Sequence, residues 1–143
     1  MKKDIQILLV EDNEGDIVLT LEVLKEAKVL NIVQVVKDGE AALQYVRKEG
    51  RYKNMETPGL ILLDINLPKV DGMEVLQEIK NDIDLRVIPV VILTTSDSEK
   101  DILESYQHHA NCFITKPVDF QEFMYVIRMI KDFWTGIVKL PNK

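Results

Sequence analysis

The sequence has few of the features that would indicate an exported, membrane-bound or disulfide-stabilised protein. It has one cysteine, Cys112, in 143 residues, which excludes an internal disulfide and a metal site built from several thiolates. No apolar run approaches the roughly 18 residues that a membrane span requires. The N-terminus shows no export signal, because Met1-Lys2-Lys3-Asp4 leads directly into a predicted strand that is too short for the apolar region of a signal peptide. We therefore expect a cytoplasmic protein without a membrane segment.

Positive charge is also scarce relative to negative charge. Lys and Arg total 18 against 24 Asp and Glu, so the net charge is −6, and the basic residues form no cluster. Nucleic-acid binding depends on clustered cations, so we expect no direct contact with DNA or RNA. Apolar residues make up 46% of the chain, which is enough for a core without disulfides. We predict one domain over residues 1–143, with a core of about 4–135, a C-terminal tail of 136–143 and no output domain.

Apolar runs of strand length alternate with helical patterns along the chain. Strands are predicted at Ile5–Val10, Asn31–Val36, Leu60–Asp64, Pro89–Leu93 and Asn111–Thr115. Helices are predicted from a cap at Asp16, over Glu40–Lys48, Met73–Ile83 and Ser98–His109, and from Asp119 to about Trp134, with an exposed loop at Gly50–Pro58. This alternation predicts an α/β fold: a flavodoxin-like, doubly wound, five-stranded parallel sheet of order 2-1-3-4-5 with five helices.

Polar side chains follow four of these predicted strands. Glu11 and Asp12 follow the first strand, Asp64 ends the third, Thr94 follows the fourth and Lys116 follows the fifth. Each is an ordinary loop residue when taken alone. The carboxyl ends of parallel strands meet at one edge of the sheet, where open α/β sheets bind ligands. The conjunction therefore predicts a site at that edge.

The residue types at this edge indicate phosphoryl chemistry. Clustered carboxylates repel one another and are stable together when a cation neutralises them. The predicted ligands are oxygens alone, which favours a hard cation such as Mg²⁺. Asp64 could then attack phosphorus as a nucleophile, while Lys116 supplies positive charge and Thr94 a hydroxyl donor.

Four segments of the chain carry a family resemblance. They are LVEDN at 9–13, LDINLP at 63–68 followed by Asp71-Gly72, PVVILTT at 89–95 and FITKP at 113–117. Together they resemble the receiver domain of two-component response regulators, over nearly the whole chain. Three further features are similar to single-domain regulators paired with bacterial phytochromes. They are a 50–58 loop longer than in minimal receivers, the EDNEGD opening at 11–16 and the Phe-Trp pair near the end of the last helix.

The resemblance implies a function for each residue of the site. Asp64 would accept a phosphoryl group from a sensor histidine kinase, of the phytochrome type if the closer likeness holds. Mg²⁺ would be bound by Glu11, Asp12, Asp64 and the backbone carbonyl of Asn66. Lys116 and Thr94 would contact the phosphoryl group.

The resemblance also implies a switch. Movement of Thr94 would let Phe113 turn inward, and the surface of the predicted fourth helix, fifth strand and fifth helix would change. The protein would assist its own phosphorylation and dephosphorylation without being a conventional enzyme.

The last predicted helix has more apolar surface than one packed face requires. One stripe comprises Phe120, Phe123, Met124, Ile127, Ile130 and Trp134, and a second comprises Val126, Met129, Phe133 and Ile137. The second stripe suggests a partner or a homodimer contact. The alternative is that the tail folds back and covers it.

Three other functions fit these residues less well than the receiver does. A Mg²⁺-dependent phosphatase of the haloacid-dehalogenase type needs a second Asp two residues after the nucleophile, where this chain has Asn66. A nucleotide-binding module needs a glycine-rich phosphate loop after the first strand, where this chain has Glu11-Asp12. An interaction module that works without phosphorylation has no use for the complete set of polar residues at the strand ends.

Overall fold

The computed structural model of the protein describes residues 6–28, 33–94, 110, 112–116 and 118–132. Its five strands form one parallel sheet and are β1 (Ile7–Val10), β2 (Val33–Val36), β3 (Leu60–Asp64), β4 (Val90–Thr94) and β5 (Cys112–Thr115). Their order across the sheet is β2-β1-β3-β4-β5. The predicted flavodoxin-like sheet and its strand order are confirmed.

Four of the five predicted helices fall within the described residues. They are α1 (Glu14–Glu26), α2 (Gly39–Val46), α3 (Gly72–Asn81) and α4 (Phe120–Asp132). The predicted fourth helix, Ser98–His109, lies outside the described residues, so α4 here corresponds to the predicted fifth helix. None of the helices that the structure describes has the length and apolar character needed to cross a bilayer.

The sheet is buried on both faces, which explains why its strands are apolar along their whole length. Side chains of β1 alternate between two core layers. Leu8 and Val10 pack towards α2 and α3, whereas Ile7 and Leu9 pack with residues of α1 and α4. Each fully buried aliphatic side chain contributes about 1.5–3 kcal/mol, so these layers account for most of the favourable free energy of folding.

Side-chain caps set where α2 and α3 begin. The Asp38 carboxylate accepts a hydrogen bond of 2.7 Å from the Ala41 amide at the start of α2. The Asp71 carboxylate accepts one of 3.2 Å from the Met73 amide at the start of α3. These bonds satisfy amides that have no partner within the helix. Both helices consequently begin one residue earlier than predicted.

The prediction that Gly50–Pro58 is an exposed loop is wrong in part. Gly50–Tyr52 forms a 3-10 turn, and the Tyr52 side chain is buried against Tyr45 with ring centroids 5.2 Å apart. The Arg51 guanidinium lies over the Tyr52 ring and donates a 2.7 Å hydrogen bond to its hydroxyl. An aromatic side chain in a polar stretch thus anchors the loop to the core.

Helix α4 buries more of its surface than the two-stripe pattern predicts. The sequence pattern places Val126 on the second stripe, yet it is buried in the same core layer as Phe123. Their shared burial shows that the face packed on the sheet is wider than a single stripe. Tyr125 is exposed on the opposite side. The side chains of Ile127, Met129 and Ile130, and all of residues 133–143, lie outside the described part of the chain.

Candidate phosphoacceptor site

The strand register aligns the candidate residues at one edge of the sheet. Val10 of β1 pairs with Leu63 of β3, so Glu11 follows at the level of Asp64. Along the same edge, Asp64 pairs with Leu93 and Thr94 pairs with Thr115. Because all five strands are parallel, their carboxyl ends lie side by side here. The sheet therefore brings together residues that are up to about a hundred positions apart in the sequence.

The segment after β1 places two carboxylates differently. The Glu11 amide donates a 3.0 Å hydrogen bond to the Val36 carbonyl, and its side chain is almost fully buried. The other Glu11 oxygen, Oε2, accepts a 3.3 Å bond from the Asn13 amide. Asp12 is exposed. Glu11 therefore lies in the buried part of the site and Asp12 at its exposed rim.

Asn13, and not Asp16, caps helix α1. The Asn13 side-chain oxygen accepts a 2.9 Å hydrogen bond from the Asp16 amide, and the helix begins at Glu14. The predicted cap at Asp16 is wrong because Asn13 is an equally good capping residue that lies three positions earlier. The Asp16 carboxylate is consequently free to point elsewhere.

Close backbone packing fixes Asp64 at the end of β3. The Gly72 amide donates a 2.8 Å hydrogen bond to the Ile65 carbonyl, which brings the start of α3 against the end of the strand. A Cβ atom at Gly72 would lie 2.1 Å from the Asp64 carbonyl oxygen. Only glycine allows this approach, so the turn between β3 and α3 holds the Asp64 backbone firmly.

Lys116 is the charged centre of the site. Its ammonium donates hydrogen bonds to Glu11 Oε1 and to Asp16 Oδ2, the latter at 3.0 Å. It also forms an ion pair with Asp64, with 3.5 Å between Nζ and Oδ2. The side chain of Lys116 is only 5% exposed, compared with 1% for Glu11 and 8% for Asp64. One buried cation is therefore shared by three carboxylates.

This arrangement raises the pKa of both Asp64 and Lys116. Burial raises the pKa of Asp64 to about 7, and the charge of Glu11 adds to the rise, while Lys116 opposes it. Burial alone would lower the pKa of the Lys116 ammonium. Its hydrogen bonds with Glu11 and Asp16, together with the charge of Asp64, raise that pKa overall. Asp64 is thus a carboxylate that an additional cation would help to ionise.

Three carboxylates have the spacing and chemistry of a divalent-cation site. Glu11, Asp12 and Asp64 each offer an oxygen, and these oxygens lie within 4.8 Å of one another. All three ligands are hard donors, and their combined negative charge exceeds what Lys116 alone neutralises. A metal ion here would compete with the Lys116 ammonium for Glu11.

The remaining predicted site residues are Thr94, Phe113 and Asn66, and the structure describes the side chains of the last two. The backbone of Thr94 ends β4 at the same edge, but its side chain lies outside the described residues. Phe113 is half-buried in β5, where it packs against the core layer of α2 and α3 and lines a groove with Tyr125 of α4. Asn66 is exposed in the turn after β3. The functions expected of Thr94, Phe113 and the Asn66 carbonyl remain predictions.

Sequence reasoning missed the contact between Asp16 and Lys116. The sequence held the relevant signal at Asn13, because Asn caps a helix as well as Asp does and here precedes two acidic residues that suit a first helical turn. That assignment would have left the Asp16 carboxylate without a local function. Its partner lies 100 positions away, so no local pattern could have identified Lys116.

Comparison with known proteins agrees with this geometry. The chain matches the response regulator receiver domain family over residues 7–128. It is 46% identical to the response regulator Rcp1 of Synechocystis over 135 residues, which cover 94% of this chain and 92% of Rcp1.

Solved structures of two such regulators are similar to the structure of this chain. The phosphorylated cyanobacterial phytochrome response regulator RcpA superposes with a TM-score of 0.80 at 47% identity, covering 98% of this chain and 100% of RcpA. The Mn²⁺-bound form of Rcp1 gives a TM-score of 0.78 at 45% identity, covering 97% of this chain and 100% of Rcp1. A divalent metal in that relative accords with the carboxylate cluster described above.

Proposed function

The chain belongs to the response regulator receiver family, and on that premise we propose that Asp64 accepts a phosphoryl group from a histidine kinase. Receiver domains are signalling modules that take phosphate from such kinases. The observation that supports the assignment is a buried Asp64 carboxylate at the end of β3, with the Lys116 ammonium 3.5 Å from its Oδ2 and the carboxylates of Glu11 and Asp12 close by. Signal transduction through a phosphorelay follows from this acceptor.

The transfer step is a displacement at phosphorus. An Asp64 carboxylate oxygen forms the new O–P bond while the P–N bond of the phosphohistidine breaks, and the imidazole leaves with the electron pair. Asp64 must be ionised to attack, which its neighbour Lys116 favours. The Lys116 ammonium then donates to a phosphoryl oxygen and offsets its charge. The same groups assist the later hydrolysis of the aspartyl phosphate.

The cation we propose is Mg²⁺. Glu11, Asp12 and Asp64 would hold it together with the backbone carbonyl of Asn66, and the oxygen-only donor set supports this choice. When bound, Mg²⁺ neutralises the carboxylates and the charge that develops on the phosphoryl oxygens. Asp64, Lys116 and Thr94 would carry out the remaining chemistry.

Phosphorylation is proposed to act through Thr94 and Phe113. The phosphoryl group adds close to two negative charges and several acceptor oxygens, to which the Thr94 hydroxyl would donate. Phe113 would then turn inward. Its half-buried position between the core and the groove beside Tyr125 supports such a movement. The surface of the predicted fourth helix, β5 and α4 would change through a shift between two existing states.

The kinase we propose is of the phytochrome type, because RcpA is a phytochrome response regulator and is 47% identical to this chain. An autophosphorylated cyanobacterial phytochrome kinase, labelled with ³²P and mixed with the protein, should lose its label to wild type and keep it with Asp64→Asn. Label that stays on this kinase while a small donor still labels the protein would contradict the phytochrome assignment only. Size-exclusion chromatography before and after labelling tests the homodimer contact that the second apolar stripe of the last helix suggests.

The acceptor assignment is tested without a kinase. The protein is incubated with ³²P-acetyl phosphate and Mg²⁺ and then treated with neutral hydroxylamine, which cleaves acyl phosphates. Wild type should take up label that hydroxylamine removes, and Asp64→Asn should take up none. Glu14→Gln, which removes an exposed carboxylate on α1, is the matched control and should label like wild type. Label that resists hydroxylamine, or equal labelling of Asp64→Asn, would overturn the assignment.

A further inference from the structure

Asp16 contributes a carboxylate to the site that no function described so far requires. It lies in the first turn of α1, and its Oδ2 accepts a 3.0 Å hydrogen bond from Lys116 Nζ. Its side chain is 29% exposed, so it lies where the site meets solvent. It does not belong to the carboxylate cluster suited to a metal, which consists of Glu11, Asp12 and Asp64. Among the residues that the structure describes, the Asp16 carboxylate contacts Lys116 within the site.

The contact with Asp16 takes up part of the hydrogen-bonding capacity of the Lys116 ammonium. An ammonium has three N–H donors, and three carboxylates surround this one: Glu11, Asp16 and Asp64. Nζ lies closer to Asp16, at 3.0 Å, than to Asp64, at 3.5 Å. A phosphoryl group on Asp64 needs a donor from the same ammonium that Glu11 and Asp16 hold.

The partners of Lys116 differ in how readily they can be released. Glu11 is almost fully buried, and an unpaired carboxylate there would be costly unless a metal replaced the ammonium. Asp16 is more exposed, so water can hydrate its carboxylate once the contact with Lys116 is broken. The bond from Lys116 to Asp16 is therefore the one that can be exchanged most easily.

We propose that Asp16 is a positioning residue that holds Lys116 in the unphosphorylated protein and competes with the phosphoryl group for its ammonium. This inference rests on the proposed function of Asp64 and goes beyond it. Asp16 would set how tightly the site binds a phosphoryl group. Loss of its carboxylate would release Lys116 towards Asp64 and strengthen binding of the phosphoryl group.

The test uses beryllofluoride, which occupies the place of the phosphoryl group on an aspartate. Its affinity for the full chain is measured by calorimetry at saturating Mg²⁺. Asp16→Asn should bind beryllofluoride about threefold to tenfold more tightly than wild type, as expected for loss of one partly exposed charge-assisted competitor. Glu14→Gln removes a neighbouring carboxylate that pairs with Lys37 and not with Lys116, so it should leave the affinity unchanged.

A double-mutant cycle shows whether the effect passes through Lys116. In a Lys116→Met background, Asp16→Asn should change beryllofluoride affinity by less than about twofold. If Lys116→Met fails to fold, the Nζ ¹H–¹⁵N signal of Lys116 in the metal-free protein provides the second measurement. That signal should shift in Asp16→Asn and stay in place in Glu14→Gln.

The outcomes separate this inference from the proposed function. Wild type that does not bind beryllofluoride would overturn both. Wild type that binds, with Asp16→Asn binding equally or more weakly, would overturn the positioning function of Asp16 alone. The same follows if Glu14→Gln gives an equal gain, or if the gain persists when Lys116 is absent.

Discussion

Replacing Asp64 by asparagine should stabilise the metal-free protein. Burial and the charge of Glu11 raise the pKa of Asp64 from 3.8 to about 7. The folded protein therefore binds a proton at Asp64 over a pH range in which the unfolded chain has already lost it. The contribution of Asp64 to the free energy of unfolding must therefore fall as the pH rises from about 4 to about 7 and stay low above that range. Asparagine has no such dependence.

The size of this effect follows from the same shift. Each pH unit of pKa is worth about 1.4 kcal/mol, so a rise from 3.8 to about 7 corresponds to at most about 4 kcal/mol. Water at the rim of the site, beside the exposed Asp12, screens part of this penalty. We expect Asp64→Asn to gain about 2 kcal/mol at pH 8 and almost nothing at pH 4.

Urea unfolding in EDTA at pH 4, 6 and 8 measures this gain. Glu14→Gln, which removes an exposed carboxylate, is the control and should show no comparable increase between pH 4 and 8. Added Mg²⁺ should raise the stability of wild type more than that of Asp64→Asn, because the cation binds the folded wild-type site. A gain that is absent at pH 8, or the same at every pH, would refute the electrostatic account of Asp64.

Substitutions at three further positions test the local structure, each by urea denaturation. Asn13→Ala should lose about 1 kcal/mol of stability with the α1 cap, while Asn13→Asp, which keeps an accepting oxygen, should lose almost none; equal losses would contradict the cap. Gly39→Ala places a Cβ 1.9 Å from the Val70 carbonyl oxygen, so a loss of about 1–3 kcal/mol is expected, and an unchanged midpoint would argue against that packing. Tyr52→Ala should lose about 3–5 kcal/mol, whereas Tyr52→Phe removes only the bond from Arg51 and should lose about 1 kcal/mol; similar losses would mean that the ring does not anchor the 3-10 turn.

The sheet could be predicted because burial on both faces leaves a plain signal. Strand β3 is apolar from Leu60 to Leu63 and ends at Asp64, and the structure has the same bounds. The preference for right-handed crossovers leaves few topologies, and five alternating strands suit the flavodoxin-like order 2-1-3-4-5. Helix ends were less predictable, because the choice between two neighbouring capping residues decides them, as with Asn13 and Asp16.

Contacts made by single side chains could not be read from local patterns. The burial of Tyr52 depends on Tyr45, which belongs to the preceding helix, while the loop around it is polar. The burial of Val126 depends on how far α4 wraps the sheet, which helical periodicity alone does not fix. The bond between Asp16 and Lys116 joins residues that are 100 positions apart in the sequence. Strand-end positions predicted the cluster around Asp64, but not how one lysine is shared within it.

Intact-mass spectrometry after incubation with acetyl phosphate tests the central claim most directly. Wild type with Mg²⁺ should gain one phosphoryl group, which borohydride reduction and peptide mapping should locate at Asp64. EDTA should abolish the gain, and Asp64→Asn should show none. An added phosphoryl group at any other residue would contradict the account, as would a wild type that gains no mass and also fails to bind beryllofluoride.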